Sequence, residues 1–126
     1  MHSVLAPKRI LCVEDNPDVC ELIAAVLTDY EVVSASGEDE AWDKYSAQKF
    51  SMIILDYHLT DGDGLSLCNR IREIDMQTPI AFMTGDDDLV EPQVRIAGAQ
   101  RLISKSNPRF IDEVFEIVEQ LSVEVL

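Results

Sequence analysis

The sequence has few basic side chains for its size. Only 10 lysines and arginines stand against 24 aspartates and glutamates, which gives a formal net charge of −14. Nucleic acids and anionic membrane surfaces bind clustered lysine and arginine, so we expect neither as a direct partner. The acids are spread along both halves of the chain, and most of them are interpreted as solvated surface.

Cysteine and long apolar runs are also scarce. The 3 cysteines have no C-x-x-C spacing, and the 2 histidines do not complete a zinc set with them. These residues are Cys12, Cys20, Cys68, His2 and His58. The N-terminus does not look like a signal peptide, and no 18 apolar residues run together. We therefore expect a reducing, cytoplasmic setting and no membrane span.

Glycine and proline number only 5 each, while 47% of the residues are hydrophobic. A chain of this composition can bury a core, and 126 residues suit one ordinary domain. No linker, internal repeat or low-complexity stretch divides it. We expect a single domain over residues 1–126, with residues 1–7 as an N-terminal tail.

Short apolar runs alternate along the chain with longer amphipathic stretches. The runs predict five strands, which are Arg9–Val13, Glu31–Ala35, Met52–Leu55, Pro79–Met83 and Leu102–Ser104. The stretches between and after them predict five helices. The first opens at Asn16-Pro17, the second spans Glu38–Ala47, and the third carries Leu67, Cys68, Ile71 and Ile74. The fourth spans Asp88–Ala97, and the fifth opens at Asn107-Pro108. Such alternation predicts an α/β fold with a parallel sheet.

Two of the predicted helices carry clear apolar stripes. In the first helix the stripe consists of Val19, Leu22, Ile23, Val26 and Leu27. In the last helix it consists of Ile111, Val114, Phe115, Val118 and Leu121. Residues at these spacings share one face of a helix, and we expect that face to pack on the sheet.

Polar side chains follow four of the predicted strands. They are Glu14-Asp15 after the first strand, Asp56 after the third, Thr84-Gly85 after the fourth and Lys105 after the fifth. In an open parallel sheet the functional crevice lies at the carboxyl ends of the strands. Three carboxylates there would repel one another, and a divalent cation removes that cost most simply. A sparse set of oxygen ligands favours Mg²⁺.

Each of these residues has an ordinary explanation when it is taken alone. An aspartate after a strand often forms a turn, a threonine bonds nearby backbone, and a lysine is usually a solvated charge. Together, an ammonium and a hydroxyl opposite a metal can hold a phosphoryl group. A carboxylate is a competent nucleophile for that group and would give an acyl phosphate.

This five-residue set resembles the receiver domain of two-component response regulators. The resemblance extends from about Lys8 to Leu121 and includes the run ILCVEDN from Ile10 to Asn16, the run ILDYHL from Ile54 to Leu59, and Gly98-Ala99. It implies a flavodoxin-like, doubly wound, five-stranded parallel sheet in the strand order 2-1-3-4-5, with five helices.

The resemblance also implies a role for each site residue. Asp56 would accept the phosphoryl group. Asp15, Asp56 and the backbone carbonyl of His58 would bind Mg²⁺, and Glu14 would do so directly or through water. Thr84 and Lys105 would each bond a phosphoryl oxygen.

The implied partners follow from that chemistry. The phosphoryl donor would be a phosphohistidine on a sensor histidine kinase or a phosphotransfer protein. The output would be a downstream protein or a covalent output domain, and homodimerisation stays open. Such a domain catalyses only its own phosphorylation and dephosphorylation, so it is not an enzyme acting on a separate substrate.

Three features depart from the family pattern. One is that Gly85 follows Thr84 and that Thr60 stands where proline is common, which should loosen the loops around the phosphoryl group. The other two concern Leu102 and Ser106. Leu102 stands where an aromatic ring usually reports phosphorylation, and Ser106 follows Lys105 where a proline in a cis peptide is usual. A cis bond without proline costs roughly 2.5–4 kcal/mol. Either that strain is retained or the loop takes another path.

His58 and Asp86 form a separate hypothesis: they would pair across the mouth of the site and alter the lifetime of the phosphoryl group, or else each is independently solvated.

Two other functions remain open from the sequence. The first is an aspartate-nucleophile phosphatase or phosphotransferase, although His58 stands where those enzymes usually carry a second aspartate. The second is an interaction module that is not phosphorylated, for which Leu102 and Ser106 are the grounds.

Overall fold

The computed structural model describes residues 7–85 and 91–125. The strands are β1 (Arg9–Val13), β2 (Glu31–Ala35), β3 (Met52–Asp56), β4 (His58–Leu59), β5 (Gly62–Asp63), β6 (Ile80–Thr84) and β7 (Arg101–Ser104). The helices are α1 (Pro17–Val26), α2 (Glu38–Ala47), α3 (Gly64–Ile74), α4 (Glu91–Ile96) and α5 (Phe110–Leu121). None of the helices in these two ranges is long and apolar enough to cross a membrane.

Five strands form a parallel sheet in the order β2-β1-β3-β6-β7. The two remaining strands, β4 and β5, pair with each other as a small antiparallel hairpin outside it. Without that hairpin the order is 2-1-3-4-5, so the predicted doubly wound, flavodoxin-like fold is confirmed. In register, Val13 lies beside Leu55 and Asp56 beside Met83, which brings the carboxyl ends of the central strands together.

Alternate strand residues enter two separate cores. Leu11, Ile53 and Phe82 belong to the core on one face of the sheet, whereas Ile10 and Ile54 belong to the core on the other. This division follows from the two-residue period of a strand. Every residue of β3 and β6 is buried, as expected for strands that are covered by helices on both sides.

Several predicted ends of helices and strands are confirmed, and others differ from the ends in the structure. The first helix begins at Pro17 with Asn16 as its cap, whose side chain accepts a hydrogen bond of 3.0 Å from the backbone N–H of Asp18. The prediction that Asn107-Pro108 opens the last helix is wrong. The Asn107 carbonyl accepts from Phe110 N–H at 2.9 Å, which makes a turn, and α5 begins only at Phe110.

The strands that carry the site also shift slightly. Strand β3 runs on to Asp56, β6 covers Ile80–Thr84 instead of Pro79–Met83, and β7 begins at Arg101. Asp56 and Thr84 are therefore the last residues of strands, because they still pair with Met83 and Ser104 in the ladder. The predicted start of the fourth helix at Asp88 lies outside the described residues.

Two apolar residues that were expected to pack on the sheet are exposed instead, Leu22 by 50% and Phe115 by 41%, and Ile74 at the end of α3 is exposed by 71%. The buried faces of α1 and α5 are therefore rotated slightly from the faces that the apolar stripes predicted. In α5 the buried residues are Phe110, Val114, Ile117 and Val118, so Phe115 lies beside that face.

Candidate functional site

The backbone of the sheet positions the four polar groups at its carboxyl edge. Glu14 follows β1, and its N–H donates to the Ala35 carbonyl at 2.9 Å, which extends the pairing with β2. Asp56 and Thr84 end neighbouring strands. Lys105 follows β7, and its N–H donates to the Thr84 carbonyl at 2.8 Å. Each functional side chain thus starts from a rigid part of the fold.

The structure brings three carboxylates together. Glu14, Asp15 and Asp56 each offer one carboxylate oxygen, and these oxygens all lie within 4.8 Å of one another. Glu14 and Asp56 are each only 3% exposed, whereas Asp15 is exposed. An all-oxygen set with one open side has the chemistry that suits a hard divalent cation such as Mg²⁺.

Lys105 lies between the two buried carboxylates. Its ammonium donates to Asp56 Oδ2 at 2.8 Å and to Glu14 Oε2 at 3.0 Å. Burial by itself would lower the pKa of Lys105, but the hydrogen bonds to Asp56 and Glu14 outweigh it and raise that pKa. One ammonium offsets only part of the negative charge of three acids, so the site can accommodate a further cation.

The shortage of positive charge shows most clearly at Glu14. Burial, reinforced by the neighbouring Asp56, raises the pKa of Glu14 to about 7 against the opposing effect of Lys105. A carboxyl group with such a raised pKa binds a proton or a metal ion more readily than an ordinary carboxylate does.

Backbone N–H groups orient both buried carboxylates. His58 N–H donates to Asp56 Oδ1 at 3.3 Å, and Asn16 N–H donates to Glu14 Oε1 at 3.2 Å. In each carboxylate, therefore, one oxygen contacts Lys105 and the other contacts the backbone. The hydrogen bonds from Lys105 and from His58 N–H fix the orientation of the Asp56 carboxylate and of its lone pairs.

Gly64 permits the start of α3 to lie close to the end of β3. A Cβ added at Gly64 would lie 2.5 Å from the Asp56 carbonyl oxygen and 2.7 Å from Phe82 Cε1. Its N–H donates to the Tyr57 carbonyl at 2.8 Å. Gly64 had no predicted role, and the only sequence signal for one is its position shortly before the apolar residues of α3.

Asp61 is a second residue whose position the sequence did not reveal. Asp61 lies in the turn between β4 and β5 and extends to the start of α2, where its carboxylate accepts from Glu38 N–H at 2.7 Å and from Asp39 N–H at 3.2 Å. These backbone hydrogen bonds lower the pKa of Asp61. They also tie the segment beside Asp56 to α2.

The remaining predicted site residues are placed as follows. Thr84 is 2% exposed at the end of β6, beside the strand that carries Asp56. The His58 side chain is exposed, and its ring meets Tyr57 edge-on with a centroid distance of 4.8 Å. Asp86 lies outside the described residues, so the pairing of His58 with Asp86 stays a prediction.

The loop after Lys105 takes the second of its two predicted courses. No peptide bond among the described residues is cis, so the strained alternative is wrong. Instead the Ser104 and Ser106 hydroxyls lie 3.0 Å apart, and Asn107 N–H donates to the Ser104 carbonyl at 3.3 Å. Leu102 pairs with Phe82 in register and packs against one core from a partly buried position.

Fold and site together define a doubly wound α/β domain with an acidic, lysine-bridged centre at the carboxyl edge of its sheet. The family model described as "Response regulator receiver domain" matches residues 10–118. The chain belongs to this family, and it is the receiver domain of a two-component response regulator. Receiver domains of this family depend on Mg²⁺ and interact with histidine kinases and output domains; they are response regulators and not enzymes in the ordinary sense.

Curated relatives have similar sequences over part of their length. The chain is 33% identical over 88 residues to the transcriptional regulatory protein TrcR of Mycobacterium tuberculosis, covering 68% of this chain and 34% of that protein. It is 32% identical over 83 residues to the alkaline phosphatase synthesis transcriptional regulatory protein PhoP of Bacillus subtilis, covering 64% and 35%. The chain thus spans about a third of the length of these relatives.

Solved structures match nearly the whole chain. The response regulator TrrA of Thermotoga maritima, in complex with Mg(2+)-BeF, has a TM-score of 0.80 at 29% identity and covers 90% of this chain and 98% of its own. The BeF3-activated receiver domain of RstA from Klebsiella pneumoniae has a TM-score of 0.80 at 31% identity, covering 90% and 97%.

Proposed function

We propose that Asp56 accepts a phosphoryl group from a phosphohistidine, carried by a sensor histidine kinase or a phosphotransfer protein, in a Mg²⁺-dependent reaction. One observation carries the proposal. The Asp56 carboxylate is buried, contacts the Lys105 ammonium at 2.8 Å, and has ligand oxygens of Glu14 and Asp15 within 4.8 Å. A solvated surface aspartate has no such surroundings.

The three acids are the residues that would hold the metal. Asp15 and Asp56 would bind it with the His58 backbone carbonyl, and Glu14 would do so directly or through water. Mg²⁺ bound there supplies positive charge for the oxygens of the incoming phosphoryl group. The contact of His58 N–H with Asp56 Oδ1 keeps the His58 backbone beside this position.

The chain's own residues have separate roles in the transfer. An Asp56 carboxylate oxygen forms a bond to phosphorus while the bond from phosphorus to the donor imidazole nitrogen breaks, and the electron pair leaves with that nitrogen. Lys105 exchanges its contact with Asp56 for one with a phosphoryl oxygen, and the Thr84 hydroxyl donates to another. Hydrolysis by water reverses the modification, so the domain acts only on itself.

The switch in partner binding would start at Lys105. Its ammonium contacts Asp56, while its backbone N–H holds the end of β7 to β6 through Thr84. A change in the ammonium contact therefore acts on the turn that leads into α5. The partner would be a downstream protein or a covalent output domain, and the readout does not use a ring at Leu102.

We further propose that residues 1–126 form one receiver domain with residues 1–7 as its tail. Three free thiols fit a reducing, cytoplasmic setting.

A labelling experiment tests the acceptor. The protein is incubated with Mg²⁺ and acetyl phosphate or phosphoramidate, and its intact mass is measured. We expect one added phosphoryl group that hydroxylamine removes and that Asp56→Asn abolishes. Asp63→Asn is the matched control, since Asp63 lies seven residues after Asp56, at the end of β5, and accepts a capping hydrogen bond from Ser66 N–H at 2.8 Å, which asparagine can also accept.

The other outcomes separate the remaining functions. Absence of label with every donor would favour an interaction module, and label that persists in Asp56→Asn would contradict the proposed acceptor. Repeated turnover of small phosphate esters would favour an aspartate-nucleophile phosphatase.

A further inference from the structure

Two cysteines for which the sequence predicts no function lie in direct contact. Cys12 is the fourth residue of β1 and Cys20 is the fourth residue of α1, and their Sγ atoms are 3.6 Å apart. Both thiols are free, and the residues are 0% and 7% exposed. Cys68, the third cysteine, is buried elsewhere, where its Sγ lies 3.3 Å from the Ala97 carbonyl oxygen.

The pair needs little movement to become covalent. A disulfide requires an S–S distance of about 2.0 Å, so the sulfur atoms must approach by roughly 1.5 Å. The other polar neighbours of Cys20 Sγ are the carbonyl oxygens of Cys12 and Glu14, each at 3.9 Å. Such long contacts to sulfur do not hold the side chain strongly in place.

Of the two cysteines, Cys20 borders an open cavity, and the residue itself is 7% exposed. The cavity of about 530 Å³ lies between α1, β2 and α2 and is also lined by Pro17, Glu21 and Ser36. The cavity admits a small molecule. Cys12 is fully buried and does not line the cavity, so Cys20 suits the role of the attacking thiol and Cys12 that of the resolving thiol.

We propose that Cys12 and Cys20 are a redox modification site, at which a hydroperoxide converts the thiol pair into a reversible disulfide. The Cys20 sulfur attacks one peroxide oxygen and the O–O bond breaks. With hydrogen peroxide, the other oxygen departs as hydroxide and takes the Cys20 proton to form the first water, and Cys20 becomes a sulfenic acid. The Cys12 sulfur then attacks the Cys20 sulfur, the S–O bond breaks, and the departing hydroxide takes the Cys12 proton as the second water. Together the two thiols lose two electrons and two protons, which the peroxide takes up, and a dithiol reductant restores both.

The disulfide would regulate the phosphoryl site, and this consequence rests on the proposed function. The residues between the two cysteines include Glu14 and Asp15, two of the three acids at the metal position. Closing the ring pulls the start of α1 toward β1 and displaces the loop that carries both acids. Displaced ligands bind more weakly, so the oxidised protein should have about tenfold lower affinity for Mg²⁺.

Peptide mapping tests the disulfide independently of phosphorylation. The whole protein is treated with hydrogen peroxide, remaining thiols are alkylated, and the denatured chain is cut after glutamate without reduction. Since Glu14 lies between the cysteines, we expect a cross-linked pair of peptides that contain Cys12 and Cys20 and lack two hydrogens. Cys68→Ala should give the same product, and Cys20→Ala should not.

Three results would overturn the disulfide: alkylation of both thiols after peroxide, a link through Cys68, or oxygen added to Cys20 without a link. Titration with Mg²⁺ alone then tests the regulation. Equal affinity in the reduced and oxidised forms would overturn it. Failure of the reduced protein to bind Mg²⁺ or to be phosphorylated would instead count against the proposed function, and the mapping result would stand.

Discussion

Lys105 Nζ donates a hydrogen bond of 2.8 Å to Oδ2 of Asp56, across 49 positions of the chain. This contact joins the residue after β7 to the last residue of β3, two strands that are separated in the sheet by β6. Because the same ammonium also contacts Glu14, one positive charge holds two buried carboxylates near each other. The contact is therefore both a structural tie and the part of the site that must rearrange when Asp56 gains a phosphoryl group.

Replacing Lys105 by methionine should destabilise the fold. Lys105→Met leaves two buried carboxylates without their counter-charge. Removing one partner of a fully buried pair costs about 3–5 kcal/mol. Because the Lys105 side chain is partly exposed, we expect a loss of about 2–4 kcal/mol. Urea unfolding without divalent cations measures the loss, and added Mg²⁺ should restore part of it. Lys44→Met is the control, because Lys44 lies on the surface, where its ammonium pairs with Glu40 at 3.5 Å and donates to the Ser34 carbonyl, and its loss should change stability by about 1 kcal/mol or less. Equal effects of the two variants would contradict this account.

Adding a methyl group at Gly64 should disturb the acceptor strand. The new Cβ of Gly64→Ala would lie 2.5 Å from the Asp56 carbonyl oxygen, so the start of α3 must move away from β3. We expect a loss of about 1–3 kcal/mol in the free energy of unfolding, measured in urea, and slower phosphorylation. Gly85→Ala is a matched control, since no atom of residues 7–85 or 91–125 outside its immediate chain neighbours lies within 4 Å of a Cβ built there. A Gly64→Ala protein as stable as the Gly85→Ala protein would show that the close approach is not required.

Asp61→Ala should loosen the first turn of α2 without affecting the other helices. The variant removes the acceptor for the Glu38 and Asp39 N–H groups, which no residue of their own helix satisfies. Hydrogen–deuterium exchange should become faster at these two amides and stay unchanged in α5. Asp61→Asn keeps one carbonyl oxygen and should show a smaller change. Unchanged exchange in Asp61→Ala would mean that water replaces the carboxylate at no cost.

Stability should fall in acid partly because of Asp75. Burial alone would raise its pKa, but hydrogen bonds from Thr78, Tyr45 and the Gln77 N–H lower it to about 2 from the usual 3.8. A group with a lowered folded-state pKa stabilises the protein above its unfolded pKa, and this contribution disappears as pH falls from about 4 towards 2. Since Asp75 is partly exposed, we expect a loss of about 1 kcal/mol between about pH 5 and pH 3.

Urea unfolding across this pH range measures the effect. Asp75→Asn should unfold with less dependence on pH, and Tyr45→Phe, which removes the 2.8 Å hydrogen bond to Asp75, should lie between it and the parent. If Asp75→Asn has the same acid dependence as the parent protein, other carboxylates are responsible.

The fold was predictable because its signals are local. The bounds of β1, β2 and α2 agree with the predicted ones, since apolar runs and amphipathic stretches report directly on burial. The placement of Glu14, Asp15 and Asp56 was predictable too, because the carboxyl ends of parallel strands share one edge of the sheet.

What the sequence could not show depends on contacts between distant segments. Asp61 caps a helix that begins 23 positions earlier, and no periodicity connects the two segments. The contact of Cys12 with Cys20 depends on how α1 packs on β1. Exposed Phe115 shows the same limit, since a stripe on a helix does not fix which of its edges meets the sheet.

Identification of the phosphorylated residue tests the central claim most directly. The protein is phosphorylated with acetyl phosphate and Mg²⁺, reduced at once with borohydride, which converts an aspartyl phosphate to homoserine, and sequenced by mass spectrometry. We predict homoserine at position 56 alone, and none when Mg²⁺ is chelated beforehand. Homoserine at another aspartate, or a phosphorylated protein with unmodified Asp56, would contradict the account.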